Sequence, residues 1–356
     1  MNIEEILKIE PYSLDKTTKH ELLSSYLSNL TEYHYIHCEP YRKILTQIGF
    51  DPKHKYLHTE LPFLPAQLFK TNKLISTPNE STVKTLYSSG TSGLTRTHIY
   101  LDKENATNQT KVLVKIVSSF LGNKRLPMMI IDSDSIIADR NQLSARAAGV
   151  IGFSLLGSKP VYVLNENMKL NIELLNTFLN QHEGERFLVF GFTFMVYQHF
   201  YKTLLDLNLR QNLSNAILIH GGGWKKLERE AVSQQGFRNK LKDVCGLQNI
   251  HDYYGMAEQA GSIYIQCQFG HYHASVFSDV IIRRAIDFSI AGIGEEGIIQ
   301  VVSLLPTSYP GHSILTSDKG ILRGEDDCPC KRLGKYFTLT GRLKQTELRG
   351  CSDSYE

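Results

Sequence analysis

The chain is short of several things, and each shortage closes a class of explanation. No apolar run approaches the roughly 20 residues needed to cross a bilayer, so no transmembrane segment is expected. The opening, MNIEEILKIEPYSLDK, carries acids early and lacks an apolar core, so it does not read as a secretory signal. The expected location is cytoplasmic. Charge of one sign is missing too: 39 Lys+Arg against 36 Asp+Glu leave +3. That balance argues against a nucleic-acid partner. Six cysteines among 356 residues are too few for a disulfide-stapled scaffold. They read as thiols or metal ligands in a reducing compartment. Tryptophan occurs once, at Trp224, and reads as a packing residue.

What is present is ordinary for a folded chain: 42% hydrophobic, 21% charged, and length enough for one large domain or two average ones. Residues 1–50 carry helical spacing, with Leu22, Leu23, Tyr26 and Leu27 on one face. Residues 61–69, LPFLPAQLF, are too broken by proline for a regular element and read as an extended arm. From 104 to 244 short apolar runs alternate with amphipathic stretches, the last of them a single charged helix over 225–244. Alternation of that kind predicts a mostly parallel sheet covered by helices. After about residue 250 the runs are short, β-rich and joined by Gly/Pro turns, which predicts an antiparallel subdomain. The expected organisation is an α/β body over 1–250 and a β-rich completion with a short tail over 251–356.

One stretch stands out, YSSGTSGLTRTHIY over 87–100. Ser88, Ser89, Gly90, Thr91, Ser92 and Gly93 put two glycines and four hydroxyls in six residues. Glycine lets backbone N–H groups approach an oxyanion, and hydroxyls can point at the same centre. Arg96 adds a charge. The natural ligand is a nucleotide phosphate. No Gly-Lys-Ser/Thr follows, so this is not the common P-loop. The competing reading is a polar surface turn.

Further along, Gly221, Gly222 and Gly223 end the apolar run AILIH, where an open α/β sheet binds ligands. They leave room for a flat group, or simply make a tight turn. Tyr254 in YYGMAE can stack on a purine, and Glu258 can hold Mg²⁺ through a carboxylate oxygen. Asp318 ends another run and can accept both hydroxyls of a ribose. Arg342, in TGR, can reach ribose or phosphate. Cys328 and Cys330 in CPC, with Cys267, His271 and His273 in CQFGHYH, supply enough ligands for a closed Zn²⁺ site of three cysteines and one histidine. Two unrelated turns are the alternative. An apolar cluster at Phe192, Phe194 and Met195 suits either a tunnel for an apolar ligand or plain core.

The order of these pieces resembles that of the acyl-adenylate-forming ligases along most of the chain. Within that superfamily LPFLPAQLFK, YSSGTSG, LVFGFTFMVY, IHGGGWKKL and GRLKQTELRGCS resemble the acyl-protein synthetase family, whose best-known member activates fatty acid in bacterial bioluminescence. The resemblance implies the large N-terminal domain of such ligases. It also implies a two-step reaction in which a carboxylic acid and Mg·ATP give an acyl-adenylate, from which a thiol takes the acyl group. It implies β/γ-phosphate contacts at Ser88 to Gly93, adenine between Gly221–Gly223 and Tyr254, Mg²⁺ on Glu258, and ribose on Asp318 and Arg342. Cys351 falls where the family's acylated cysteine lies, and Arg349 beside it favours the thiolate; an inert tail thiol is the other reading. The implied partners are acyl reductase and acyl transferase subunits.

Two departures matter. Adenylate-forming ligases carry a lid with a catalytic lysine just after the Gly-Arg hinge; the sequence stops soon after Arg342, so no lid is expected, and Lys344 is too near the hinge to take that part. The segment before the glycine loop is also shorter than in acyl-CoA ligases. The expectation therefore has three forms: a ligase that loads Cys351, a ligase that serves coenzyme A or a carrier protein in surface-polysaccharide or lipid synthesis, or a non-catalytic nucleotide-fold subunit.

Overall fold

The computed structural model describes residues 3–87, 97–137 and 144–343. The phosphate-loop residues Ser88, Ser89, Gly90, Thr91, Ser92 and Gly93, and the tail residue Cys351, lie outside them. The chain falls into two compact units. One is built mainly from 107–268, the other from 1–84, 97–106 and 269–356.

The 107–268 unit is the α/β one. Its strands are β1 (Leu126–Ile130), β2 (Gly157–Tyr162), β3 (Phe187–Phe192), β4 (Ala216–Gly221), β5 (Asn249–Tyr254) and β6 (Tyr264–Gln266). They lie in the order β2-β1-β3-β4-β5-β6. All neighbours are parallel except β5 and β6. Strands β3 and β4 are buried at every position, as befits a parallel sheet covered on both faces. This is why they read as unbroken apolar runs. Helices begin where the sequence provides caps. Ser144 accepts from the Ala147 N–H ahead of Ala145–Ser154, and Asn171 accepts from Leu174 N–H ahead of Ile172–Gln181. The single helix expected over 225–244 is instead two elements, a 3₁₀ stretch at Lys225–Glu230 and a helix at Gln234–Cys245. Ser233 causes the break: its hydroxyl caps Gly236 N–H and restarts the helix. Gly246 ends that helix with φ +70°.

The other unit is β-rich. Its strands are β7 (Tyr272–His273), β8 (Ser278–Arg283), β9 (Glu296–Ser303), β10 (Ser313–Glu325) and β11 (Lys335–Arg342). The order β8-β9-β10-β11-β7 is antiparallel throughout. The arm at 61–69 is more regular than its prolines suggest, because Leu64–Pro65 adds to β10 in parallel register and Leu68–Thr71 is a helical turn. The helix Lys16–His37 is capped by Asp15, which accepts from Thr18 N–H at 2.9 Å. It buries Leu23, Leu27, Leu30 and His34, one stripe at i, i+4 and i+3 spacing, and at its head the same stripe buries Lys19.

Candidate active site

The parallel strands of the α/β unit deliver polar groups at their carboxyl ends, the expected place for a ligand crevice. Beyond β1 comes Asp132, buried, which accepts from Arg146 Nε at 2.7 Å through Oδ2 while its Oδ1 accepts from Nη2. Arg146 sits in the first turn of Ala145–Ser154, with its guanidinium 5.9 Å from the Phe194 ring centroid. Beyond β3 comes Thr193, whose hydroxyl is 2.9 Å from His220 Nδ1 and donates to Gly221 O at 3.2 Å. The Asp252 carboxylate on β5 stands 3.7 Å from the same His220 nitrogen. Burial, with Arg238 adding to it, pushes His220 down to about 3, so the imidazole is neutral at physiological pH. The Arg146–Asp132 pair and the Thr193–His220 contact escaped sequence reasoning. The readable sign was Asp132 at the end of an apolar run.

The three glycines do different jobs. A Cβ on Gly221 would lie 2.4–2.7 Å from the Tyr253 ring, so this glycine makes room for a protein side chain. Gly222 has φ +77° and turns the chain. Gly223 is exposed, with nothing within 4 Å of the position a Cβ would take. Tyr254 ends β5, its ring 6.0 Å from that of Tyr264. Glu258 is buried in a 3₁₀ turn at Ala257–Gln259. Phe192 and Met195 are buried in the core, Phe192 with its ring 5.8 Å from Phe190. Trp224 packs on Tyr197 (4.9 Å) and Phe237 (6.0 Å), the packing role expected of it.

In the β-rich unit, Asp318 and Arg342 come together: Arg342 Nε donates to Asp318 Oδ1 at 2.7 Å. The register explains it, since Asp318 on β10 faces Arg342 on β11. Asp318 is held from below as well, its N–H donating to Thr316 Oγ1 at 3.1 Å. Cys267, His273, Cys328 and Cys330 offer ligand atoms that all lie within 4.8 Å of one another. His271 is not one of the four. Its Nδ1 lies 3.5 Å from Cys328 Sγ.

Comparison with known proteins follows these features. The chain is 20% identical over 347 residues to a long-chain-fatty-acid–luciferin-component ligase of Vibrio harveyi, covering 93% of this chain and 86% of that one. It is 23% identical over 339 residues to the protein of the same name from Aliivibrio fischeri, covering 90% and 84%. Among solved structures it resembles an open conformation of 2-hydroxyisobutyryl-CoA ligase with an acyl-AMP and CoA, at TM-score 0.74 and 14% identity, covering 94% of this chain and 77% of that one. It also resembles a long-chain-fatty-acid–CoA ligase from Archaeoglobus fulgidus at TM-score 0.50 and 13% identity, covering 75% and 52%. The fold is thus that of the adenylate-forming ligases. A family model described as acyl-protein synthetase, LuxE, matches residues 2–356, and the chain belongs to that family.

Proposed function

We propose that this protein is an ATP-dependent acyl-protein ligase. In the first step the oxygen of a long-chain fatty carboxylate attacks the α-phosphorus of ATP, the bond to the β-phosphate oxygen breaks, and pyrophosphate leaves. In the second, the thiolate of Cys351 attacks the acyl carbon, AMP departs as the leaving group, and a thioester remains, ready for an acyl reductase. The observation that carries this reading is the family match over residues 2–356. The paired Asp318 and Arg342 support it, because a carboxylate already oriented by a guanidinium suits a ribose diol.

The residues fit nucleotide and metal. Asp318 keeps 17% of its side chain exposed, and Gly223 leaves open space above the strand end. The Glu258 carboxylate is the hard oxygen ligand that Mg²⁺ prefers. Bound Mg²⁺ neutralises developing phosphate charge. Ser88 to Gly93 would cradle the departing phosphates.

The test is ATP–pyrophosphate exchange with and without a long-chain fatty acid, paired with labelled-acyl retention. Wild type should show fatty-acid-dependent exchange and retain label through a hydroxylamine-sensitive bond. Cys351→Ser should keep exchange and lose the retained label. Equal absence of label in both proteins sinks self-acylation. A second reading, transfer to coenzyme A or a carrier thiol, draws on the CoA-containing ligase among the similar folds. It predicts full transfer to added CoA by Cys351→Ser. Absence of exchange with any carboxylic acid would leave a non-catalytic subunit.

A further inference from the structure

We infer that Cys267, His273, Cys328 and Cys330 form a closed, structural zinc site. It stands on residues that the ligase reaction does not use, and does not depend on that reading. The ligand atoms of the four all lie within 4.8 Å of one another. Tetrahedral zinc with Zn–S near 2.3 Å and Zn–N near 2.0–2.1 Å separates its ligands by about 3.6–3.8 Å. The His273 Nε2 to Cys330 Sγ distance is 3.3 Å, already close to that. None of the three cysteines is in a disulfide.

The surroundings resemble a prepared site more than a chance cluster of thiols. Cys267, His273 and Cys328 are all buried, so no water shell would satisfy a thiolate there. Among the described residues buried His273 Nδ1 has no hydrogen-bond partner, so the ring's polar contact is made through Nε2, the nitrogen that faces the Cys330 sulfur. The ring is held by stacking on Tyr336 at 5.6 Å and by the edge of Tyr12 at 6.0 Å. His271, with its proton on Nδ1, would donate to Cys328 Sγ from 3.5 Å, the outer-sphere contact that steadies a thiolate ligand. Three thiolates and Zn²⁺ leave one negative charge, and Lys331 and Arg332 follow directly after Cys330.

The loop is bent for the purpose. Residues 326–334 join β10 to β11, and Asp326 and Lys331 take positive φ (+67° and +65°), a cost that non-glycine residues accept when something fixes the loop. Lys331 N–H donates to Cys328 O at 2.8 Å, closing a tight turn around the CPC sequence. A metal here would clip that turn to β7. Asp318 lies seven residues before Glu325, the last residue of β10, so the ribose-type pair sits about 20 Å along the strands from this end. With four protein ligands no coordination position is left for substrate. The site therefore supports the β10–β11 hairpin and takes no part in the chemistry.

The experiment uses the full chain purified without added metal. Elemental analysis should find about one zinc per chain. Cys330→Ser should lose at least half of it, while His271→Ala retains it. Cobalt substitution of the wild type should give the intense visible band of tetrahedral Co(II) with thiolate-to-metal charge transfer. Stripping zinc should lower the melting temperature and speed hydrogen exchange in 326–337 more than in 313–318. Less than half a zinc in the folded wild type, together with no cobalt band, overturns the site. So does zinc that survives Cys330→Ser, or a thiol count under denaturing conditions two short of the six cysteines, which would mean a disulfide. If Cys330→Ser does not fold, the wild-type cobalt spectrum decides.

Discussion

The two units bury polar groups in opposite ways. In the α/β unit strands β3 and β4 are mostly apolar and aromatic, with Phe153 stacked on Phe190 at 4.3 Å, and polar side chains such as Asp132 and Thr193 follow the carboxyl ends of β1 and β3. In the β-rich unit charge sits in the middle. Asp279, 1% exposed, accepts from Lys335 Nζ at 2.6 Å and faces His58 Nε2 at 2.9 Å and Lys19 Nζ at 3.7 Å. Lys19 arrives from the helix Lys16–His37 and also donates to Ala274 O. Burial would raise the Asp279 carboxyl, but Lys335, Lys19 and the His58 bond reverse this and hold it well below the usual carboxylate range. Burial pulls Lys19 down, against the pull of Asp279. His20, His58 and Asp279 even form a set that could hold a metal, yet two lysines already supply the cations. A buried ionic group is therefore a poor guide to function in this fold. The useful distinction is whether the polar atoms point out of a strand end or into a packed layer.

The sharpest way to break the comparison is Asp279→Ala. Two nearly buried ammonium groups would lose their counter-ion, at a cost of about 3–5 kcal/mol. Urea unfolding should show this loss, whereas Asp132→Ala in the α/β unit, where Arg146 retains 20% exposure, should cost clearly less. Equal costs would erase the contrast drawn between the units.

Acid offers a second test. His34 and His312 are buried in the β-rich unit, His34 well below its ordinary value and His312 at about 3, in each case chiefly through burial. His58 is lowered by burial too, though Asp279 opposes it. A depressed histidine stays neutral in the folded chain while the unfolded chain takes up its proton, so stability falls as pH drops from about 6.5 towards 3. The depressed Asp279 continues the loss: its contribution is present above the unfolded carboxylate value near 4 and disappears as pH falls through the folded one. His220 acts in the same direction in the α/β unit. Hydrogen exchange between pH 7 and 4 should therefore expose 278–283 and 296–303 before 187–192 and 216–221. The reverse order would mean that other groups govern acid unfolding.

The same contrast explains what the sequence could convey. Parallel strands such as Ala216–Gly221 announce themselves because every position is buried, so composition alone marks them. The helix Lys16–His37 hides its most consequential residue, since Lys19 reads as an exposed charge until Asp279, 260 positions away, is placed beside it. Strand β7 has two residues, too few for a period. Strand β10 runs on through polar residues to Glu325, its register with β11 shifting between Lys319 and Gly320 and again between Leu322 and Gly324. Among site residues, candidate chemistry could be named from the sequence and proximity could not. Asp318 and Arg342 were each singled out for a ribose, and the strand register shows that they face each other. The metal-type residues were readable as a set of five, and geometry removed His271 from it.

Within the α/β unit the glycines sharpen the distinction further. Gly221→Ala pushes a methyl into the Tyr253 ring and should cost about 1–3 kcal/mol of stability. Gly223→Ala meets nothing and should leave the melting curve within about 0.5 kcal/mol of wild type. If Gly223 borders the adenine, the alanine weakens ATP binding all the same. A stable Gly223→Ala protein with unchanged ATP affinity would assign all three glycines to the turn.

A small stability effect belongs to the pair with the largest functional claim. Arg342 is 77% exposed, so solvent screens its bond to Asp318, and Arg342→Ala should cost under about 1 kcal/mol of folding stability. Hydrogen bonds to charged groups are worth about 1.5–3 kcal/mol when a ligand is on the other side, so the same variant should slow ATP–pyrophosphate exchange by roughly 10- to 150-fold. Asp318→Ala should behave alike. The double variant should be little worse than either single one, because a guanidinium and a carboxylate that grip one ribose act as a unit. Exchange losses that simply multiply would show that the two residues touch the nucleotide independently, and their bond would then be an ordinary surface ion pair of the β-rich unit.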